Sequence, residues 1–157
     1  MRLTISLIIF SFFFSLEKDT ISFISANPFS FKDIISNLEG QQKQKVFGYL
    51  TLPDGASENN KIPLVIGVAG SKDWSSHHLE YIDMYQSMGI ATFELQSFAS
   101  REVESTVGTQ VEVTTAMMIL DSYRAFEALL EHPVIDKDRV AITGWSLGGG
   151  VTLFSAW

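Results

Sequence analysis

The sequence predicts an α/β fold built on a doubly wound, mainly parallel sheet. Short apolar strands alternate with amphipathic helices along the chain, and this alternation is typical of βαβ units. A continuous apolar run at residues 62–68 predicts a strand that is buried on both faces, as in a parallel sheet. A glycine-rich turn at residues 144–150 lies between an apolar strand and an apolar helix, which is the third sign of this architecture.

Seven elements are expected in the order strand, strand, helix, strand, helix, strand, helix. Strands are predicted where β-branched and aromatic residues concentrate, and helices where apolar residues recur every three or four positions. The strands are expected at residues 45–52, 62–68, 90–95 and 140–143, and the helices at residues 77–88, 110–132 and from about residue 146. Residues 27–43 and 96–109 have mixed polar composition and predict no regular element.

Composition narrows the class of protein. Hydrophobic residues make up 46% of the 157 residues and charged residues 18%, which is typical of a folded globular protein rather than a disordered one. The formal net charge is −7 with only 11 Lys and Arg residues, so nucleic acid is not an expected partner. The chain has no cysteine, which excludes disulfides, cysteine-ligated zinc and a thiol nucleophile. No cofactor or metal is expected.

The N-terminus has the pattern of a secretory signal peptide. Met1 and Arg2 precede an apolar run at residues 3–16, which is shorter than the roughly 20 residues that span a bilayer. A short positive start, an apolar run and a small-residue cleavage site define such a signal. We expect cleavage after Ala26, a secreted or periplasmic protein without a stable membrane span, and residues 27–157 to be the N-terminal part of a larger domain. An uncleaved anchor or a buried helix is the alternative.

The strongest functional motif is G-x-S-x-G at residues 144–148. In a nucleophile elbow the serine occupies a strained turn between a strand and a helix, so that its hydroxyl points out above the sheet. Glycine two residues to either side leaves room for that turn, and the following helix N-terminus favours the negative charge that develops during acyl transfer. Ser146 is therefore the predicted nucleophile, and the backbone N–H of Leu147 is one predicted oxyanion donor.

The second oxyanion donor is expected in the loop after the buried strand at residues 62–68. That loop begins Ala69-Gly70-Ser71, whose small residues let the backbone approach a substrate carbonyl closely. The N–H of Ser71 is the predicted donor, and a plain tight turn is the alternative. Asp73 and Trp74 follow, where we expect a surface loop rather than the mouth of a substrate site.

Motifs spread over residues 45–157 point to one known family. They are Gly48-Tyr49-Leu50 with Leu52-Pro53, Pro63-Leu64-Val65-Ile66, Ala69-Gly70, Gln96-Ser97-Phe98 with Arg101, and the run from Asp136 to Gly150. Together they resemble the dienelactone hydrolase family, which implies the α/β-hydrolase fold. That family usually has His-Gly where this chain has Ala69-Gly70. Dienelactone hydrolases proper use a cysteine nucleophile where this chain has Ser146, so the similarity points toward the serine carboxylesterases and peptidases of the same superfamily.

A serine nucleophile needs a general base, and in α/β-hydrolases the chain order is serine, then aspartate or glutamate, then histidine. Residues 147–157 contain none of these three types. We expect His77 and His78 to be solvated or to lie at the rim of the site at a helix start, and His132 to be structural at a helix end. The catalytic aspartate and histidine are therefore expected beyond residue 157, in a longer protein. Residues 1–157 alone are expected to have negligible esterase activity.

The sequence thus predicts a serine hydrolase that acts on an ester, lactone or related small acyl compound. A non-catalytic binding or structural module, or an inactive fragment, that retains the elbow is the alternative. If the chain is truncated after the nucleophile helix begins, the strand at residues 140–143 has one unpaired edge. Apolar side chains of the last helix are then partly exposed, namely Val151, Leu153, Phe154 and Trp157.

Overall fold

The computed structural model describes residues 18–156, in which five strands form a single mixed sheet. The strands are β1 (Lys18–Ala26), β2 (Lys43–Thr51), β3 (Ile62–Val68), β4 (Ala91–Leu95) and β5 (Ile135–Gly144), and the helices are α1 (Phe31–Asn37), α2 (Ser76–Ser87), α3 (Thr115–Leu130) and α4 (Leu147–Ser155). Across the sheet the order is β1, β2, β4, β3, β5. β3 pairs in parallel with both β4 and β5, whereas β2 pairs antiparallel with β1 and β4. The predicted α/β fold is confirmed.

Two neighbouring residues of β3 show that helices cover both faces of the sheet. Ile66 lies with Tyr123 and Phe126 of α3 in one apolar pocket. A Cβ at Gly67 would instead come within 3.1 Å of Ile82 in α2. Because successive side chains of a strand point to opposite faces, α2 and α3 lie on opposite sides of the sheet. This is the doubly wound arrangement that the alternation of elements predicts.

The core lies at the parallel centre of the sheet. Every residue of β4 is buried, and so is every residue of β3 except Pro63. The continuous apolar run of β3 is therefore buried on both faces, as the sequence predicts. The largest fully buried apolar side chains come from the strands, α2, the loop after β4 and α3, and they include Leu50, Leu64, Ile66, Ile82, Phe93, Phe98, Met118 and Leu129.

Two elements occur where the sequence predicts none. β1 pairs with β2 along its whole length of nine residues, and most of its side chains are exposed, as at the edge of a sheet. α1 begins after Ser30, whose hydroxyl and backbone N–H both donate to the Asp33 carboxylate, at 2.9 and 2.8 Å. α1 contributes no buried residue. Elements with so little buried surface leave only a weak periodic pattern in the sequence.

β1 lies inside the segment that the sequence predicts to be removed on export. Ser25 donates a 2.6 Å hydrogen bond to the carboxylate of buried Asp121, and Arg101 donates to the carbonyl of Ala26 at 3.2 Å. β1 is therefore bonded to β2 and to α3 in this structure. Residues 1–17 lie outside the described residues. Export and cleavage stay predictions, which N-terminal sequencing of the mature protein tests.

The observed helices and strands differ from the predicted ones mainly in the residue at which each element begins. α3 begins at Thr115 rather than near residue 110, because the Thr114 hydroxyl caps it by accepting the Met117 N–H at 3.2 Å. β5 begins at Ile135, five residues earlier than predicted, because its start continues the pairing with β3. No helix within residues 18–156 is long and apolar enough to cross a membrane.

The sequence predicts an unpaired edge on the last strand and partly exposed apolar side chains on the last helix, and the structure matches this in part. β5 pairs with β3 on one side and with no other strand among the described residues. Leu153 is 72% exposed and Phe154 is also exposed, as predicted. Val151 is fully buried, which contradicts the prediction, because it faces the sheet and joins the core. Trp157 lies outside the described residues.

Candidate active site

Ser146 occupies a tight turn between β5 and α4. Its backbone has φ 53° and ψ −113°, and a positive φ is uncommon for residues other than glycine. The Trp145 N–H donates to the Val68 carbonyl at 3.2 Å, and the Gly148 N–H donates to the Trp145 carbonyl at 2.9 Å. These bonds hold the turn against the end of β3. Ser146 is exposed and does not cap α4 with its side chain, so its hydroxyl is left accessible.

Close backbone contacts require glycine on both sides of Ser146. A Cβ at Gly148 would overlap the carbonyl oxygens of Val68 and Ala69 at the end of β3. A Cβ at Gly144 would overlap the backbone of Gly148. The strained turn and the two steric requirements match the elbow geometry that the motif predicts.

The loop after β3 lies directly against this turn. A Cβ at Gly70 would lie 3.2 Å from the Trp145 carbonyl oxygen and 3.6 Å from the Ser146 Cβ. The next residue, Ser71, lines an open pocket of about 540 Å³ together with Ser146. Leu147 is the first residue of α4, and neither its N–H nor that of Ser71 donates to a backbone carbonyl within residues 18–156. The structure therefore brings together Ser146, Leu147 and Ser71.

Bonds to distant segments fix this loop in place. The Thr106 N–H donates to the Ser71 carbonyl at 2.9 Å. The Trp74 indole N–H donates to the Leu95 carbonyl at 3.0 Å, and the Trp74 ring fills the space where a Cβ of Gly67 would stand. The pocket is lined by the loop after β3 and by Trp145 and Ser146 after β5. It therefore opens at the carboxyl ends of parallel strands, where open α/β sheets bind their ligands.

His78 lines the pocket and is buried, whereas the sequence predicts a solvated or rim position. It is 5% exposed, and its ring stacks on Trp145 with the two ring centroids 4.7 Å apart. Its Nδ1 accepts the Ser75 backbone N–H at 3.3 Å. Burial and, to a smaller extent, the charge of His77 lower the pKa of His78, which favours its neutral form. His77 is exposed, as the sequence predicts.

The pKa shift of His78 gives a prediction for stability against pH. We expect the free energy of unfolding to fall as the pH decreases below 6.5, because the unfolded chain then binds a proton that folded His78 binds less readily. Protonation at Nδ1 also removes the acceptor of the Ser75 N–H, a loss of about 1 kcal/mol. Urea unfolding between about pH 5 and pH 8 measures the effect. The His78→Gln variant should have a shallower pH dependence than His132→Gln, and equal slopes would contradict the prediction.

Asp73 also lines the pocket, although the sequence favoured a surface loop at this position. Its φ is 59°, and its N–H donates to the Gly70 carbonyl at 3.0 Å. Its Oδ1 is buried and has no hydrogen-bond partner within residues 18–156. Burial raises the pKa of the Asp73 carboxyl, and the backbone N–H of Trp74 opposes this with a smaller effect.

The described residues do not pair Ser146 with a general base. The two histidines of the pocket, His77 and His78, bond to Ser75 instead. Within residues 18–156 no group of three or more His, Cys, Asp or Glu side chains could hold a metal ion.

A doubly wound α/β sheet with a strained, exposed serine between β5 and α4 defines an α/β-hydrolase fold. The family model described as acetyl xylan esterase (AXE1) matches residues 34–157. The chain belongs to this family.

Solved structures and a curated relative extend the comparison. The dienelactone hydrolase of Anabaena variabilis is 20% identical with a TM-score of 0.61, covering 90% of this chain and 57% of that one. Est1E of Butyrivibrio proteoclasticus, bound to ferulic acid, is 17% identical with a TM-score of 0.59, covering 72% and 43%. Dipeptidyl peptidase family member 2 of Caenorhabditis elegans is 27% identical, covering 68% of this chain and 15% of its own length. The chain thus spans about half of these solved structures and a smaller part of the peptidase. The resemblance to dienelactone hydrolases is confirmed.

Proposed function

We propose that this chain supplies the nucleophile and the oxyanion hole of a serine esterase that acts on a small ester or lactone. One observation carries the proposal. Ser146 is exposed at φ 53° in a pocket, beside the backbone N–H groups of Leu147 and Ser71, which donate to no carbonyl within the described residues. A strained backbone that is kept beside unused donors is characteristic of a functional site.

In the proposed reaction the Ser146 Oγ attacks the carbonyl carbon of the ester and gives up its proton to a general base. The carbonyl oxygen becomes an oxyanion, which accepts hydrogen bonds from the N–H groups of Leu147 and Ser71. Collapse of this intermediate breaks the bond to the alcohol, which leaves with the proton from the base, and the acyl group stays on Ser146. Water then attacks the acyl-enzyme by the same steps and releases the acid.

The general base is proposed to come from outside residues 1–157. In α/β-hydrolases the acidic residue and the histidine follow the serine along the chain. The chain covers only 57% of the Anabaena variabilis enzyme and 43% of Est1E. His78 is a poor substitute for the base, because its Nδ1 already accepts the Ser75 N–H and its ring is stacked on Trp145.

The comparisons support an ester rather than a peptide as substrate. The matching family model is described as acetyl xylan esterase, and it covers residues 34–157. The relative described as a dipeptidyl peptidase matches over only 15% of its own length. Since the same elbow serves esterases and peptidases, the solved structures support the fold alone.

Covalent labelling tests the proposed nucleophile. We expect a fluorophosphonate to form one adduct on the full-length protein, and peptide mass spectrometry should place it on Ser146, because only an activated serine attacks the phosphorus rapidly. Ser71 lines the same pocket and is an internal control that should stay unlabelled. A non-catalytic module that retains the elbow would give no adduct, and this result would reject the proposal.

A further inference from the structure

Two hydrogen bonds from a distant segment hold the carbonyl of Ser71, although the proposed reaction uses only the N–H of this residue. The Thr106 N–H donates to the Ser71 carbonyl at 2.9 Å, and the Ser105 hydroxyl donates to the same oxygen at 3.2 Å. Ser105 lies 34 residues further along the chain, in the loop between β4 and α3. The loop after β3 is therefore attached to a second loop at the residue that carries the candidate oxyanion donor.

The turn that contains Ser71 sets the direction of its N–H. The Asp73 N–H donates to the Gly70 carbonyl at 3.0 Å and closes this turn. Because a trans peptide unit is planar, the Gly70 carbonyl and the Ser71 N–H point in opposite directions. The bond from Asp73 therefore fixes the direction of the Ser71 N–H within the turn. It does not by itself hold the turn at a fixed distance from Ser146.

The second loop has a buried anchor and an exposed hydroxyl. Thr106 is fully buried, whereas Ser105 and Val107 on either side of it are exposed. The Val107 N–H donates to the Ser105 hydroxyl at 3.2 Å, and the single proton of that hydroxyl goes to the Ser71 carbonyl. The Ser105 hydroxyl thus bridges Ser71 and Val107, which both line the pocket of the candidate nucleophile.

We propose that Ser105 is a positioning residue for the reaction, whose hydroxyl holds Ser71 so that the Ser71 N–H stays within reach of the oxyanion. An oxyanion donor acts at about 2.7–3.1 Å from the developing charge, so a small displacement of the loop weakens it. Loops otherwise move more than the elements that they connect. The inference rests on the proposed function, because it takes Ser146 as the nucleophile and Ser71 as an oxyanion donor.

Ser105→Ala in the full-length protein tests this role with p-nitrophenyl acetate as the substrate. The bond from the Thr106 N–H remains in this variant, so the loss should be partial. We expect kcat to fall about five- to tenfold, the effect of one hydrogen bond. KM should change less than about twofold, because the Ser71 N–H acts on charge that develops in the transition state.

Inhibition by an aryl trifluoromethyl ketone reports on the oxyanion hole directly. The Ser146 Oγ adds to the ketone carbon, its proton passes to the general base, and the ketone oxygen becomes an oxyanion beside the same donors. The Ki of this inhibitor should therefore rise by the same factor as kcat falls in Ser105→Ala. A smaller fraction of folded protein would lower the apparent kcat and leave Ki unchanged.

Two matched variants serve as controls. Ser105→Thr keeps the hydroxyl at an exposed position, so its kcat and Ki should stay within about twofold of the wild-type values. Ser87 is also exposed, and its hydroxyl donates to the Met84 carbonyl at 2.6 Å near the end of α2. Ser87→Ala removes the same kind of bond away from the pocket and should change neither value.

The outcomes distinguish this inference from the proposed function. A parallel change of kcat and Ki in Ser105→Ala that Ser105→Thr does not show supports the positioning role. If Ser105→Ala matches Ser87→Ala, lowers kcat with Ki unchanged, or is no slower than Ser105→Thr, the positioning role is overturned, and hydrolysis that depends on Ser146 still supports the nucleophile. Hydrolysis that Ser146→Ala leaves at the wild-type rate overturns both proposals.

Discussion

Ser146→Ala in the full-length protein is expected to lower kcat for a p-nitrophenyl ester by about 10⁴- to 10⁶-fold. The substitution removes the Oγ that forms the acyl-enzyme and leaves the N–H groups of Leu147 and Ser71 in place. A slow rate above that of water should therefore remain, because the oxyanion donors and the pocket still bind the transition state. Initial rates of p-nitrophenolate release, corrected for the rate without enzyme and compared between variant and wild type, measure the loss.

Two controls test whether the loss of activity comes from the missing Ser146 hydroxyl. Ser87 lies at the exposed end of α2, where its hydroxyl donates to the Met84 carbonyl at 2.6 Å, and Ser87→Ala should keep wild-type activity. Circular dichroism should show that Ser146→Ala retains its fold. A Ser146→Ala variant within tenfold of the wild-type rate would contradict the role of Ser146 and favour a non-catalytic module.

The elbow could be predicted from sequence because its requirements are local. Ser146 needs glycine at positions 144 and 148, and the structure shows the backbone contacts that exclude a Cβ at both. The strand and helix that flank the motif are set by short-range apolar patterns. The site at the end of β3 follows from the fold itself, since parallel strands place their carboxyl ends along one edge of the sheet.

Residues whose position depends on tertiary contacts could not be predicted in this way. His78 is buried because its ring packs on Trp145, which lies 67 residues further along the chain. β1 carries few buried side chains, and its place is fixed by the pairing with β2 and by the bond from Ser25 to Asp121. Neither contact leaves a periodic pattern in the sequence. The pairing of Arg101 with Asp121 is likewise a tertiary contact that no local sequence pattern predicts.

Arg101 and Asp121 form the buried ion pair that ties β1 and the loop after β4 to α3. Arg101 donates to the Asp121 carboxylate with both terminal nitrogens, at 2.7 and 3.1 Å, and the two side chains are 5% and 0% exposed. Arg101 also donates to the carbonyls of Ser97 and Ala26, at 2.8 and 3.2 Å. Asp121 accepts the Ser25 hydroxyl as well. The guanidinium group therefore joins three segments at one point.

Arg101→Met is expected to lower the free energy of unfolding by about 3–5 kcal/mol, because it leaves the Asp121 carboxylate buried without its counter-charge. Urea unfolding of the full-length protein measures the change from the shift in midpoint at constant slope. Arg124 and Glu127 supply the matched control, since they form an ion pair at 2.7 Å on the exposed side of α3, with side chains 38% and 59% exposed. Arg124→Met should cost less than about 0.5 kcal/mol.

The double variant Arg101→Met/Asp121→Leu distinguishes two effects on the free energy of unfolding: the destabilisation by one unpaired buried charge and the net contribution of the ion pair. It removes both charges and leaves apolar side chains in their place, so it should be more stable than Arg101→Met alone. The recovery should be incomplete, because the Ser25 hydroxyl and the carbonyls of Ser97 and Ala26 lose their partners. If Arg101→Met costs no more than Arg124→Met, the pair does not hold β1 to the domain, and the edge strand must be retained by its nine residues of pairing with β2 alone.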